Sequence, residues 1–217
     1  MMKLHWSPRS PYVRKVMVAL YEKGLADRVE TVRTYADPLV VPQDFLPVNP
    51  LAKIPTLELT APDGTDGVTL YDSRVIMEWA DGETATGPQL FPANRAARLL
   101  ALRDEALGSG ILDIGMTLLI ETRLRTAPMQ DARIIAASKL KLGAALAQLE
   151  AYADRLGARD FDAGHIAIGV ALCYLDFRFA DLGWRDGRPH LAAWFETFRT
   201  RPSVIATEFR DDPRPAG

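Results

Sequence analysis

Strand signals in this chain of 217 residues are confined to about its first third. Short apolar and β-branched segments near Leu4, Val29, Thr56 and Val68 alternate there with segments of helical spacing. From about Pro92 onward the apolar residues recur only at helical spacing. Since a sheet is built from strands that pack together, the whole sheet has to come from the first part. The chain therefore predicts an α/β domain followed by an all-α domain.

The α/β part opens with a well-marked junction between a strand and a helix. Residues 4–6 have strand character, Ser10 is a favoured helix cap, and Pro11 is a favoured first helical residue. Apolar residues then recur at helical spacing as far as Gly24, where a helix would end. This junction predicts a β-α unit at the start of the chain.

The remainder of this part predicts more strands and a second helix. Three further strands are expected, at residues 29–33, 56–59 and 68–71. The turn-rich segment 62–67 predicts a hairpin loop between the last two of them. Asp72 and Ser73 then cap a helix, whose expected buried face consists of Val75, Ile76 and Trp79. The order is β-α-β, a loop, and β-β-α.

The second part predicts helices only. They are expected at residues 93–122, 129–156, 162–179 and 189–199. The first has Leu99, Leu102, Ala106 and Leu107 along one side, and should be weakened or bent by Gly108, Gly110 and Gly115. The third is apolar almost all round, so it should be the buried centre. We expect domains at 1–83 and 92–217, with a linker at 84–91.

Charge and cysteine content limit the partners. There are 26 Lys and Arg residues against 28 Asp and Glu residues, and this balance indicates neither a nucleic-acid partner nor a membrane-surface partner. Cys173 is the single cysteine, so there is no internal disulfide and no Cys-x-x-Cys motif. The densest apolar run, 166–175, is shorter than the ~20 residues of a membrane span. We expect a soluble, cytoplasmic protein without a metal site.

Three short motifs lie in order along the α/β part. They are Ser10-Pro11-Tyr12-Val13, Lys53-Ile54-Pro55 and Asp72-Ser73. The first has the form and position of the Cys-Pro-Tyr-Cys site of glutaredoxins, with both cysteines replaced. The sequence resembles the cytosolic glutathione transferases, especially bacterial members that begin Ser-Pro-Tyr-Val-Arg-Lys. The resemblance implies an α/β thioredoxin-like domain followed by an all-α domain. The resemblance covers essentially the whole chain and includes the segment 49–55.

The resemblance implies that Ser10 activates the thiol of glutathione. That thiol has a pKa of ~8.5 when free, so little of it is nucleophilic at neutral pH. The start of a helix carries amide donors and partial positive charge, which favour a thiolate, and a hydroxyl there can donate to the sulfur. Ser7 and Tyr12 are the rival hydroxyl groups. From residue preferences alone, Ser10 is a plain helix cap, and the two roles are compatible.

The other motifs imply the remaining contacts with glutathione, which is the expected co-substrate. Pro55 matches the family's cis-proline, and the main chain of Ile54 would pair with the cysteinyl part. Lys53 would face the glycyl carboxylate. Ser73 would hold the γ-glutamyl carboxylate and Asp72 its ammonium, although many family members have Glu where Asp72 stands. The plain interpretations are a loop proline, a surface lysine and an N-cap.

The central helix of the second part departs from the family pattern. Family members often have Ser or Thr followed three residues later by Asp, which form a capping box. The matching residues here are Asp162 and His165. We expect Asp162 to cap the helix and His165 not to reproduce the role of the acid.

These observations predict a glutathione transferase that directs the glutathione thiolate at a small hydrophobic electrophile. By family habit it would be a homodimer, and the electrophile would bind between the domains. One alternative is a glutathione-dependent isomerase, which also begins with thiolate addition. Another is a non-catalytic interaction protein that keeps the fold. A reductase is disfavoured because residue 10 is serine and cannot form a mixed disulfide.

Overall fold

The computed structural model describes residues 2–60 and 66–212, which fall into two compact units. The first unit comprises Met1–Phe91 with Ser203–Gly217, and the second comprises Pro92–Pro202. Most of the predicted hairpin turn, residues 62–65, lies outside the described residues. No helix within the described ranges combines the length and the hydropathy needed to cross a membrane.

The first unit has a four-stranded sheet with helices. Its elements are β1 Met2–Trp6, α1 Pro11–Glu22, β2 Val29–Arg33, β3 Thr56–Thr60, β4 Asp66–Leu70 and α2 Ser73–Glu83. The 3-10 turns Ala26–Arg28 and Gln43–Phe45 lie in its connections, and α7 Pro202–Ile205 leads into its last segment. This order confirms the predicted α/β class, and it is the order of a thioredoxin-like domain.

The sheet has the strand order β2-β1-β3-β4. Strands β1 and β2 are parallel, with Trp6 opposite Arg33 at their carboxyl ends. Strand β3 is antiparallel to β1, so its first residue, Thr56, lies opposite His5. Strand β4 is antiparallel to β3 and ends at Leu70, which lies opposite Leu57. The ends of β1, β2 and β4 and the beginning of β3 therefore meet at one edge of the sheet.

The buried face of α2 differs from the predicted one. Ile76 is buried as expected, but the side chain of Val75 is 43% exposed. The buried residues are Ser73, Ile76, Met77 and Ala80. These positions have the i, i+3, i+4, i+7 spacing of one helical face, and Val75 lies off that face. The prediction was wrong for Val75 because it grouped Val75 with its apolar neighbour Ile76 and did not follow the helical period of 3.6 residues.

The second unit consists of helices. They are α3 Arg95–Leu119, α4 Ala132–Gly157, α5 Ala163–Arg178 and α6 Pro189–Arg199, with a π-helical turn at Ile120–Leu124. Every residue of α5 from Ala163 to Leu172 is buried, and α3 and α5 pack closely against each other. The prediction that this helix is the buried centre of the helical half is confirmed.

The buried face of α3 is not the side on which the sequence places its apolar residues. Leu99 is 57% exposed, whereas Ala101 and Asp104 are fully buried. Gly108 does not interrupt the helix but lies against α5, where an added Cβ would be 2.4 Å from the carbonyl carbon of Ala167. Close approach of two backbones selects small residues on the contact face, so apolar residue spacing did not reveal it.

The network around Asp104 explains why a charged residue belongs to that buried face. The Asp104 carboxylate accepts hydrogen bonds from Arg159 at 2.6 Å, from Tyr152 at 2.9 Å and from Arg103 at 2.7 Å. A fully buried carboxylate is tolerated when its oxygens accept hydrogen bonds from such partners. Burial and the neighbouring Asp104 carboxylate raise the pKa of Tyr152 above its ordinary value. The phenol therefore stays a hydrogen-bond donor at neutral pH.

The start of α5 has a capping box, contrary to the prediction for His165. The Asp162 carboxylate accepts hydrogen bonds from the amides of Gly164 and His165, and the amide of Asp162 donates to Nδ1 of His165 at 3.1 Å. The other ring nitrogen of His165 donates to the carbonyl of Leu156 at 2.9 Å. A neutral imidazole supplies an acceptor on the nitrogen that lacks a proton, so it performs the acid's role.

Replacing Gly108 with alanine should destabilise the helical unit by about 1–3 kcal/mol, because the new methyl group overlaps the backbone of α5. Gly110 provides a matched control on the same helix, since nothing lies within 4 Å of its Cβ position. Alanine at Gly110 should stabilise the chain by up to about 1 kcal/mol through helix propensity. Urea unfolding of both variants measures the difference, and equal midpoints would contradict the close packing at Gly108.

Candidate functional site

The three sequence motifs lie at one edge of the sheet. Residues 7–10 follow the carboxyl end of β1, residues 53–55 precede the beginning of β3, and Asp72 follows the end of β4. The strand register places all three of these ends together. Loops at such an edge are free to bind ligands while the strands hold them in place. This edge is therefore the candidate functional site.

Ser10 is the N-cap of α1. Its backbone is extended, its side-chain oxygen accepts a hydrogen bond from the amide of Val13 at 3.3 Å, and its own amide donates to the carbonyl of Ser7. No group in residues 2–60 or 66–212 accepts the proton of the Ser10 hydroxyl. In the helix cap the oxygen of the Ser10 hydroxyl is an acceptor, so its O–H can still donate a hydrogen bond to a ligand.

The two rival hydroxyl groups lie nearby. Ser7 is buried, and its Oγ accepts from the amide of Arg9 at 3.4 Å within the turn that precedes α1. Tyr12 is half-buried in the first turn of α1. Of the three residues, Ser10 is the N-cap, so its side chain lies at the N-terminus of α1, where the unpaired amides also point.

The bond between Ile54 and Pro55 is cis, which confirms the predicted cis-proline. Pro55 is buried directly before β3. The amide and carbonyl of Ile54 form no hydrogen bond with any described residue. These main-chain groups adjoin the start of a strand, so they can pair with an extended peptide as an additional strand would.

Sequence reasoning missed Asn49, which holds this loop from inside. Asn49 is fully buried, and its amide nitrogen donates to the carbonyl of Lys53 at 3.0 Å and to Oγ1 of Thr56 at 2.9 Å. Its side-chain oxygen accepts from the amide of Leu51, and Thr56 also donates to the Lys53 carbonyl. The signal in the sequence was the Asn-Pro pair at 49–50, which is typical of a turn.

Lys53 is the exposed cation of this loop. Its carbonyl is engaged by Asn49 and Thr56, whereas its ammonium pairs with no acidic group in the described part of the chain. An ammonium on a flexible stem at the rim of the site can meet a ligand carboxylate.

The beginning of α2 divides its two polar residues between different roles. Asp72 is the N-cap, and its carboxylate accepts from the amide of Arg74 at 3.1 Å. Ser73 follows as the first helical residue and is only 3% exposed. Among the described residues no group bonds to the Ser73 hydroxyl. The plain interpretation of Ser73 as the helix cap is therefore wrong, because Asp72 accepts the capping hydrogen bond.

The electrostatics of this edge favour an anionic ligand. Helices α1 and α2 both begin here, so their unpaired amides and partial positive charges face the same region. Lys53 adds a full positive charge, and Asp72 adds one carboxylate at the start of α2. An elongated molecule with several anionic groups and one ammonium matches this distribution.

The second unit contains a separate shallow cavity of about 850 Å³. Its walls include the rings of Phe161, Trp194 and Phe198, and it contains none of the site residues that the sequence predicts. In the described ranges no cluster of three or more His, Cys, Asp or Glu side chains is placed to hold a metal ion. The edge of the sheet therefore remains the candidate site.

Comparison with known proteins agrees with this geometry. Residues 9–83 match the family model described as glutathione S-transferase, N-terminal domain, and residues 133–197 match the C-terminal domain model. The uncharacterized GST-like protein YibF of Escherichia coli is 32% identical over 95% of this chain and 98% of its own length.

Two solved structures with bound glutathione have the same fold. A glutathione transferase family member from Pseudomonas fluorescens Pf-5 superposes with a TM-score of 0.90 and is 38% identical, covering 97% of this chain and 100% of that one. A glutathione S-transferase from Methylobacillus flagellatus KT gives a TM-score of 0.83 at 34% identity over 96% and 99% of the two chains. With two domain models and relatives matched along nearly its full length, this chain belongs to the cytosolic glutathione S-transferase family.

Proposed function

We propose that this protein is a glutathione transferase that activates the thiol of glutathione for attack on a small hydrophobic electrophile. The observation that carries the proposal is the unpaired main chain of Ile54 beside the cis bond to Pro55. It lies at the same sheet edge as Ser10 and Ser73, whose hydroxyl groups also lack an acceptor or a partner among the described residues. Such a set of open groups fits a tripeptide that binds in extended form.

Each part of glutathione has a matching group in this arrangement. The cysteinyl part pairs with the amide and carbonyl of Ile54, and the glycyl carboxylate meets the ammonium of Lys53. The γ-glutamyl carboxylate binds the Ser73 hydroxyl and the amides that begin α2. The Asp72 carboxylate pairs with the γ-glutamyl ammonium. Bound glutathione in the structures from P. fluorescens and M. flagellatus supports this ligand.

The chemistry then needs a thiolate next to an electrophile. The Ser10 hydroxyl donates a hydrogen bond to the sulfur, and the amides at the start of α1 stabilise the negative charge. The thiol proton leaves to water. The thiolate then forms the new carbon–sulfur bond as the carbon–halogen bond of an aryl halide breaks and the halide ion leaves to water. Ser10 is never covalently modified, since it stabilises the nucleophile and does not attack. The same resemblance implies a cytoplasmic homodimer, which sedimentation and cell fractionation would test.

Calorimetric titration with glutathione, followed by a conjugation assay with a generic aryl halide on the same sample, tests the proposed function. Binding with turnover is the expected result. Binding without turnover would contradict the transferase and favour the isomerase alternative. Absence of binding would contradict both the transferase and the isomerase. It would favour the non-catalytic interaction protein.

Replacing Lys53 with alanine should weaken glutathione binding about 10- to 100-fold, because a charge-assisted contact contributes ~1.5–3 kcal/mol. Ser73→Ala should weaken it about 3- to 10-fold, since it removes one hydroxyl donor. Asp72→Asn keeps an N-cap while it removes the charge that would meet the ammonium. Calorimetry gives the dissociation constant of each variant.

Lys3→Ala is the matched control for the lysine, since Lys3 is also exposed but lies near the opposite end of β1. Its affinity for glutathione should equal that of the unchanged protein. Unchanged affinity in all three site variants would show that glutathione does not bind as placed here.

A further inference from the structure

The last described residues of the chain return to the loop that precedes α1. The amide of Arg210 donates to the carbonyl of Pro8 at 3.3 Å. The carboxylate of Asp212 lies 3.0 Å from Nε of Arg9. Pro8 and Arg9 are the two residues directly before Ser10, so both contacts are made on the loop that places the Ser10 hydroxyl.

Asp212 joins this loop to the neighbouring strand. Its second oxygen accepts a hydrogen bond from Nε of Arg33 at 2.7 Å, and Arg33 is the last residue of β2. Arg33 also donates to the carbonyl of Thr34 and stacks over the ring of Tyr35, which fixes its guanidinium. One carboxylate thus bridges the loop after β1 and the end of β2, which lie side by side at the candidate site.

The tail is also attached along α1, so Asp212 does not sit on a loose end. Arg14 donates to the carbonyl of Val204 at 3.1 Å and its guanidinium lies 4.4 Å from the centre of the Phe209 ring. Ser203 donates to the carboxylate of Glu22 near the other end of the helix. The segment 203–212 therefore follows α1 from its last turn back to the loop before its first residue.

Charge reinforces the bridge. Burial alone would raise the pKa of Asp212, but the hydrogen bond from Arg33 and the charges of Arg33 and Arg9 lower it below its ordinary value. The carboxylate is consequently ionised throughout the neutral range. Asp212 is 28% exposed and the two arginines are 23% and 24% exposed, so water screens the pairs only in part.

We propose that Asp212 is a positioning residue for thiol activation, and that it acts through Arg9 on the loop carrying Ser10. This inference rests on the proposed function, in which Ser10 donates to the glutathione sulfur. Asp212 makes no contact with the Ser10 hydroxyl itself. It orients the loop, and a small displacement of the hydroxyl weakens its bond to the thiolate without altering the groups that hold the rest of the tripeptide.

Asp212→Asn is the decisive variant, because it removes the charge and keeps the size of the side chain. We expect kcat to fall about 3- to 10-fold and the apparent pKa of bound glutathione's thiol to rise, while the glutathione dissociation constant stays unchanged. The ultraviolet absorbance of the thiolate, followed against pH, reports that pKa. Asp212→Glu should recover part of the loss. Glu208→Gln is the matched control, since Glu208 is exposed on the same tail and its carboxylate pairs with no described residue.

A double-mutant cycle separates positioning from general stability. If Asp212 acts through Arg9, then Arg9→Gln together with Asp212→Asn should lower kcat no more than the larger single effect. Additive losses would overturn the proposal, as would a thiol pKa in Asp212→Asn equal to that in Glu208→Gln. A loss of kcat that tracks a lowered unfolding midpoint would also overturn it.

Hydrogen exchange provides a readout that does not depend on catalysis. Asp212→Asn should accelerate exchange at the amides of residues 9 and 10 relative to Glu208→Gln, without accelerating it in α5. If the protein without substitutions binds no glutathione, the proposed function is overturned. The exchange comparison would still decide whether Asp212 holds the loop. Equal exchange in the two variants would overturn the bridge itself.

Discussion

Replacing Ser10 with alanine is expected to lower kcat for glutathione conjugation about 10- to 100-fold. A hydrogen bond to a charged group contributes ~1.5–3 kcal/mol, and each 1.36 kcal/mol on the barrier is about a factor of ten in rate. The dissociation constant for glutathione should change little, because in the proposed binding mode Ile54, Lys53 and Ser73 supply the other contacts. Steady-state kinetics with saturating glutathione, together with calorimetry, measure the two quantities separately.

The loss of the helix cap accompanies this change, since Ser10 also accepts from the amide of Val13. Ser10→Thr retains both a cap and a donor, so it should keep most of the activity that Ser10→Ala loses. Ser7→Ala and Tyr12→Phe are the comparison variants for the rival hydroxyl groups. If either one lost more activity than Ser10→Ala, the assignment of Ser10 would be wrong.

Asp162→Ala is expected to destabilise the helical unit by about 3–5 kcal/mol. Asp162 is 3% exposed, caps α5, and pairs with the half-buried Arg159 at 2.9 Å, so its removal leaves that arginine with fewer partners. The same change exposes the first amides of the most buried helix. Urea unfolding of the purified protein gives the free energy of unfolding. Asp162→Asn should cost much less, because asparagine is itself a good N-cap.

The contribution of Asp162 should also depend on pH. Burial would raise its pKa, but the positive charge of Arg159 and the hydrogen bond that it donates lower it below the ordinary value. A lowered pKa in the folded state means that the stabilisation is complete above the unfolded pKa of ~3.9 and is lost as pH falls through the folded value. Asp160→Ala is the control, since Asp160 is exposed two residues away. Equal stability of Asp162→Ala and Asp160→Ala would contradict the capping role.

Much of the fold could be predicted because local signals and tertiary structure agree. Ser10, Pro11 and Gly24 mark both ends of α1, and the structure places the helix at Pro11–Glu22. Strand β2 and helix α6 have the predicted bounds, Val29–Arg33 and Pro189–Arg199. In these segments the caps, the turn residues and the apolar period all favour the same element.

The errors arose where packing uses residues that hydropathy does not single out. The contact face of α3 contains Gly108 and the paired Asp104, so the apolar period, which includes the exposed Leu99, did not reveal it. His165 completes the capping box because its Nδ1 accepts a hydrogen bond from the amide of Asp162, a role that the sequence comparison reserved for an acid. The bridge from Asp212 to Arg9 joins residues 203 positions apart. Only the folded chain brings such residues together.

The interior bonds of Asn49 have a thermodynamic consequence for ligand binding. One buried side chain satisfies the turn at Leu51 and joins the carbonyl of Lys53 to Thr56, so the loop that ends in Ile54 has its shape before any ligand arrives. Ordering a loop on binding costs free energy that would otherwise appear as affinity. Because Asn49 orders the loop when the chain folds, its conformational entropy is already lost before binding. The unpaired main chain of Ile54 can therefore bind a peptide with little further loss of conformational entropy.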